Sequence, residues 1–227
     1  MTQKPRLIVF ASGTETAGGI GFANLVHHAR SPFHSLEADI VAVVSNHAAG
    51  GVCTRASQLH IPFIHFNGPL SKDAYRRILS STGAEWIALS GWMRQTTGLD
   101  PERTFNIHPA PLSLLGGRFG GEGMYGIRVH HAVHAALHND EITRSGVSMH
   151  FVTEEYDEGP VFFECPVPIH KHMSPEAIQK KTALAEHHWQ PRIANMVLRG
   201  DIAWDGKDPE SLIVPDGYQF LPKKTDE

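Results

Sequence analysis

Leu7-Ile8-Val9-Phe10-Ala11-Ser12-Gly13-Thr14-Glu15-Thr16-Ala17-Gly18-Gly19-Ile20-Gly21 carries an apolar run, a glycine-rich break and the start of a helical pattern. An unbroken apolar run from Leu7 to Ala11 suits a strand buried on both faces, the kind found in parallel sheets. The glycines then release the backbone into a turn, and Gly21 to Arg30 has helical character. The unit repeats. Apolar runs at Ile40 to Ser45, Pro62 to Phe66 and Trp86 to Leu89 alternate with helical segments at Gly51 to His60 and Lys72 to Ser81. Strand, crossover helix and parallel strand wire together right-handed. The pattern predicts an α/β chain with a Rossmann-like, doubly wound, mostly parallel sheet.

The second half changes rhythm. A helix is expected from about Ile127 to Leu137, followed by a hairpin of Gly146 to Val152 and Val161 to Ile169. Ser174-Pro175-Glu176 opens a last helix, with serine as cap and proline in the first turn. The tail from Gly200 to Glu227 is polar with scattered apolar anchors and is expected to drape over the surface.

Composition narrows the function classes. The 227 residues are 41% hydrophobic and 19% charged, an ordinary globular balance. The net charge of −4 argues against nucleic acid as a partner, because a phosphate backbone demands a basic face. Cys53 and Cys165 stand far apart with no CxxC, which fits a reducing compartment. The apolar run at Leu7 is too short for a signal core or a membrane span. The expectation is a cytoplasmic protein, a monomer or homodimer, acting on small molecules.

Chemistry concentrates in Phe105-Asn106-Ile107-His108-Pro109. Side chains alternate faces along a strand, so Asn106 and His108 point one way while Phe105 and Ile107 face the core. Proline ends the strand, leaving both polar groups at its carboxyl end, where open α/β sheets bind ligands. A carboxamide and an imidazole there can stabilise a developing oxyanion. Residues 112 to 126 form a loop too glycine-rich for a regular element, a natural wall or lid beside that site. The hairpin turn holds four carboxylates, Glu154, Glu155, Asp157 and Glu158, any of which could orient His108 and raise its pKa. Residue chemistry alone does not choose among them.

The segment Ser12 to Gly21 has the makings of an anion site, since backbone N–H groups ahead of a helix lack partners and the helix dipole favours negative charge. It is no Walker A loop, and Gly19-Ile20-Gly21 is only a fragment of a dinucleotide fingerprint. His130, His134 and His138 fall on one helical face with His131 beside them, but no HExxH or cysteine pair accompanies them. They are taken as a solvated or partly packed histidine face, with no metal.

The run Phe105-Asn106-Ile107-His108-Pro109, the later His150-Phe151-Val152-Thr153-Glu154-Glu155-Tyr156-Asp157-Glu158-Gly159-Pro160, and Gly91-Trp92-Met93-Arg94 resemble the folate-dependent formyltransferases. Within that superfamily the pattern is most similar to the branch acting on glycinamide ribonucleotide, over roughly residues 5 to 220. The resemblance implies one formyltransferase domain over 1–227, with a phosphate-binding half to about residue 100 and a folate-binding, catalytic half from about 101. It implies Asn106, His108 and Asp157 as catalytic residues. It implies Leu89, Met93, Arg94, Val152 and Glu154 as the folate wall, with 10-formyltetrahydrofolate as co-substrate. It implies Gly19, Ile20 and Gly21 as a phosphate cradle and Glu186 as the partner of ribose hydroxyls. Other readings that keep the fold are a different acceptor, such as a nucleotide-linked aminosugar, and a non-catalytic folate- or nucleotide-binding module. The loop after the first strand is several residues longer than the common Ser-Gly-x-Gly-Ser-Asn form, and the glycine-rich loop after Pro111 also departs from the usual pattern.

Overall fold

The computed structural model describes residues 3–33 and 35–222. Seven strands form one sheet in the order β3-β2-β1-β4-β5-β6-β7. The first five are β1 (Arg6–Phe10), β2 (Asp39–Ser45), β3 (Phe63–His65), β4 (Trp86–Ser90) and β5 (Thr104–His108). All five run parallel. The helices between the first four are α1 (Ile20–Arg30), α2 (Gly51–Gln58) and α3 (Lys72–Thr82). After α4 (Ile127–His138) the chain returns antiparallel through β6 (Arg144–Phe151) and β7 (Val161–Pro168), then α5 (Pro175–Leu198). The winding reverses at β1, which has β2 on one side and β4 on the other. A crevice therefore opens outside the carboxyl ends of β1 and β4, the switch point where such sheets take ligands.

The two faces of the sheet are unequal. One face, through Leu7, Val9, Val43, Ala88, Phe105 and Ile107, packs under α1, α2, α4 and α5. The other, through Ile8, Phe10, Ala42, Val44, Ile87 and Leu89, is covered chiefly by α3 with Ala74, Tyr75 and Ile78. This second cluster includes no residue of β5 or β6, so the polar residues of those strands are left to the long loop after β5.

Local chemistry explains the element ends. Ser71 and Ser174 cap α3 and α5 by accepting from Ala74 N and Ala177 N. Pro191 lies inside α5 and has no N–H to offer the carbonyl four residues back. That carbonyl, of His187, instead accepts from Asn24 Nδ2 at 2.7 Å, which ties α1 to α5. The glycine-rich loop after β1 is also tied down. Thr14 Oγ1 accepts from Ala17 N at 2.9 Å, and Gly50 lies so close that a Cβ on it would sit 2.2 Å from the Thr14 carbonyl oxygen.

The tail differs from the expected surface strap. Ile202 and Trp204 are buried in the main core, and Ala203 pairs with Ile213. The apolar anchors bury area the helices leave open, which outweighs the polarity of their neighbours. Residues 223–227 of that tail lie outside the described residues.

Candidate active site

Alternation along β5 does what the sequence predicts. Phe105 and Ile107 are buried in the core under the helices, while Asn106 and His108 face the opposite side. Antiparallel pairing sets Asn106 beside His150 and His108 beside Ser148. A register shift between Met149 and His150 in the β6–β7 pair interrupts the ladder beside His150, as bulges near functional sites do.

The hairpin turn then brings in one carboxylate. Asp157 Oδ1 lies 3.2 Å from His150 Nε2, and Oδ2 lies 3.7 Å from His108 Nδ1. Oδ2 also accepts from Gly121 N at 2.9 Å. The other three acids of the turn, Glu154, Glu155 and Glu158, are exposed. Asp157 itself has φ +56, the left-handed region that aspartate and asparagine tolerate best among side-chain-bearing residues. Backbone geometry, not charge count, thus picks Asp157 from the four.

The imidazoles have defined roles. His108 Nε2 is 2.7 Å from the Phe119 carbonyl oxygen, which can only accept, so Nε2 carries the hydrogen and Nδ1 is the bare nitrogen of the neutral ring. His150 Nδ1 donates in the same way to the Phe151 carbonyl at 2.8 Å. Its Nε2 lies 3.0 Å from Asn106 Nδ2 and 3.2 Å from Asp157 Oδ1, and at least one of the two amide hydrogens of Asn106 is left free.

Burial pushes the His108 imidazole below its ordinary value, with the Asp157 carboxylate and the Phe119 carbonyl pulling the other way. For Asp157, burial acts to raise the pKa, but the bond with His150, the charge His108 can carry and the Gly121 N–H together lower it to about 2. Burial and the Asp157 carboxylate thus act on the His108 ring in opposite directions. The carboxylate acts to raise the His108 pKa, as expected from the sequence, but at 3.7 Å, longer than a hydrogen bond, its pull is smaller than the opposing effect of burial.

These groups line a cavity of about 830 Å³, a volume typical of small-molecule sites. Its walls come from Gly91 to Gln95, Asn106 to Pro109, Gly121 to Gly126, Arg128 and His130 on α4, Tyr156 and Asp157, and the inner face of α5 with Glu186. The glycine-rich loop is one wall, and just ahead of it Gly120 packs against the site: a Cβ there would stand 3.2 Å from Asp157 Cβ and 2.5 Å from Leu112 Cδ2. Glu186 has no hydrogen-bond partner among the described residues, and burial pushes its carboxyl up to about 8.

The remaining expected site residues divide. Met93 and Arg94 line the cavity. Leu89 and Val152 are buried in the cluster behind that wall, and Glu154 is exposed in the turn. Gly19, Ile20 and Gly21 are not among the lining residues. Gly21 packs against Ser90 and Gln190, and Ile20 is half exposed at the start of α1. Sequence reasoning gave no role to His150, whose register partner is invisible in one dimension, or to His130, which was grouped with a histidine face. Of that face only His130 is buried. Among the described residues no group of three or more His, Cys, Asp or Glu could hold a metal ion, and no helix is long and apolar enough to cross a membrane.

Residues 5–194 match the family described as formyl transferase. The chain belongs to that family. Among relatives of this formyl transferase, the chloroplastic phosphoribosylglycinamide formyltransferase of Arabidopsis thaliana is 29% identical over 213 residues, covering 89% of this chain and 68% of the plant protein. The phosphoribosylglycinamide formyltransferase of Bacillus subtilis is 26% identical, covering 85% of this chain and 94% of its own length. The crystal structure of glycinamide ribonucleotide transformylase 1 from Geobacillus kaustophilus superposes with a TM-score of 0.71 at 28% identity, covering 86% of this chain and all of that one. The α/β sheet with its antiparallel extension is thus the architecture of the formyl transferases.

Proposed function

We propose that this formyl transferase moves a formyl group from 10-formyltetrahydrofolate to the primary amine of glycinamide ribonucleotide, a step of purine synthesis. The observation that carries the reading is the meeting of Asn106, His108 and Asp157 on one wall of a cavity in a chain of this family, together with relatives named for that reaction.

The neutral amine attacks the formyl carbon, and the carbonyl electrons move to oxygen. The free amide hydrogen of Asn106 is available to that oxyanion. His108 is bare at Nδ1, because the Phe119 carbonyl holds the hydrogen on Nε2, so Nδ1 can take the proton the amine loses. Asp157 stabilises the imidazolium so formed. When the intermediate collapses, the bond to the folate nitrogen breaks and that nitrogen takes the proton, directly or through water. Met93 and Arg94, on the segment after β4, form the folate side of the cavity. Glu186, on α5, offers its carboxyl to the vicinal hydroxyls of a ribose, and the unpaired N–H groups at the start of α1 offer an anion site to the phosphate.

The test is turnover of synthetic glycinamide ribonucleotide with 10-formyltetrahydrofolate, read as formylated product by mass spectrometry. The purified protein should form product, and His108→Ala should lower kcat by ~10²–10³ while folate affinity stays within a few-fold. No product with the unmutated protein rejects the reading. Near-normal kcat in His108→Ala rejects the role of the histidine.

A further inference from the structure

The segment that carries Met93 and Arg94 lies beyond the sheet. The ladder between β4 and β5 ends at Ser90, and Gly91 turns the chain away with φ +75, so residues 91–95 have no strand or helix of their own to hold them. Backbone that leaves a sheet keeps a fixed course only where other groups take up its N–H and C=O. Here those groups come from Ser12 and Tyr75.

Ser12, just past β1, is 1% exposed. Its N–H donates to the Gly91 carbonyl at 2.9 Å, its Oγ accepts from Met93 N at 2.9 Å, and its carbonyl accepts from Ser45 Oγ at 2.8 Å, which ties it to β2. Tyr75, on α3, is fully buried, and its hydroxyl donates to the Gln95 carbonyl at 2.7 Å. Bonds to Met93 N and Gln95 O thus grip the backbone on both sides of Arg94, whose own Nη2 reaches Asn67 Oδ1 at 3.3 Å. Packing alone does not call for the phenol. The Tyr75 ring lies among aromatics, 5.8 Å from the ring of Phe10 and 5.1 Å from that of Phe66, where a phenylalanine would fill the same space. A buried hydroxyl carries a desolvation cost that its bond must offset, so what tyrosine adds over phenylalanine is the hold on Gln95. Neither Ser12 nor Tyr75 lines the cavity, so both act from behind the wall.

We propose that Ser12 and Tyr75 are positioning residues for the folate: their two hydroxyls fix the course of the Met93–Arg94 wall that the co-substrate meets. This rests on the formyl-transfer reading above, in which that wall is the folate side of the cavity. The effect is selective between the two substrates. Tyr75 comes from α3, on the face of the sheet opposite to α5 and its Glu186, so loosening the wall reaches the folate and leaves the amine side in place.

The test uses two variants and two measurements. Tyr75→Phe removes one oxygen from a ring that keeps its packing, and Ser12→Ala keeps the N–H and C=O of residue 12 while removing the acceptor for Met93. Each should raise KM and Kd for 10-formyltetrahydrofolate ~3–10-fold, the worth of about one intramolecular hydrogen bond. In Tyr75→Phe, kcat at saturation and the KM for glycinamide ribonucleotide should stay within about 2-fold of the parent. In hydrogen exchange of the ligand-free protein, the Met93 amide should be protected in the parent and exchange at least ~10-fold faster in Ser12→Ala, with the sheet amides of Val9 and Leu89 unchanged. An unchanged folate Kd in either folded variant, equal rises in both KM values for Tyr75→Phe, or unchanged protection of Met93 would each overturn the proposal. Failure of the unmutated protein to form product would instead overturn the formyl-transfer reading itself.

Discussion

Asp157→Asn tests the electrostatics of the site without touching its shape. The side chain is only 14% exposed and sits at φ +56, a backbone conformation that asparagine adopts as readily as aspartate. The substitution therefore removes charge while leaving the turn in place. In the folded protein this carboxyl titrates at about 2 against an ordinary 3.8. At about 1.36 kcal/mol per pH unit, that gap corresponds to roughly 2 kcal/mol of stability. The sign follows from proton binding. A carboxyl whose pKa is depressed on folding contributes in full above its unfolded value and loses the contribution as pH falls through the folded one. Urea denaturation of parent and variant at pH 7, 5 and 3 measures it. The variant should be less stable by about 2 kcal/mol at pH 7 and 5, and the difference should shrink to roughly half at pH 3. A difference below about 0.5 kcal/mol at pH 7, or one of the same size at pH 3, would refute the reasoning. In the second case the loss would be independent of the ionisation of the carboxyl.

Glu186 has the opposite sign: its pKa rises from 4.5 to about 8, so ionisation costs stability as pH climbs through that window. Glu186→Gln should thus melt at or above the parent temperature at pH 8.5 while its KM for the amine rises, and a melting difference independent of pH would contradict the assignment. At Gly21 a Cβ would stand 2.3 Å from Ser90 Oγ, so Gly21→Ala should raise KM for the amine more than for the folate, and adding Ser90→Ala should recover part of the loss. Equal effects on both substrates would mean a general defect at the head of α1. Phe105 is fully buried beneath the site residues, and Phe105→Ala should cost ~3–5 kcal/mol in denaturant unfolding with an unchanged slope. A cost below about 1 kcal/mol would show that the strand does not depend on that packing.

Apolar periodicity is a local property, and it was enough to read the first four parallel strands, the helices between them and the antiparallel hairpin. The break at Pro109 and the alternation of Phe105, Asn106, Ile107 and His108 likewise lie within five residues, so the orientation of the two polar groups was legible in one dimension. The tertiary structure decided the rest. Which acid meets His108 depends on the left-handed turn at Asp157, and four neighbouring carboxylates look alike until the hairpin closes. His150 stands beside Asn106 because β6 pairs with β5 in one register, and a slip of one residue would send it to the other face. His130 is separated from the exposed histidines of α4 by which face of that helix meets the cavity. The protonation of the site belongs wholly to the assembled structure: burial and a carbonyl from a loop eleven residues away set the tautomer of His108, and desolvation depends on everything packed around a group rather than on its neighbours in the chain.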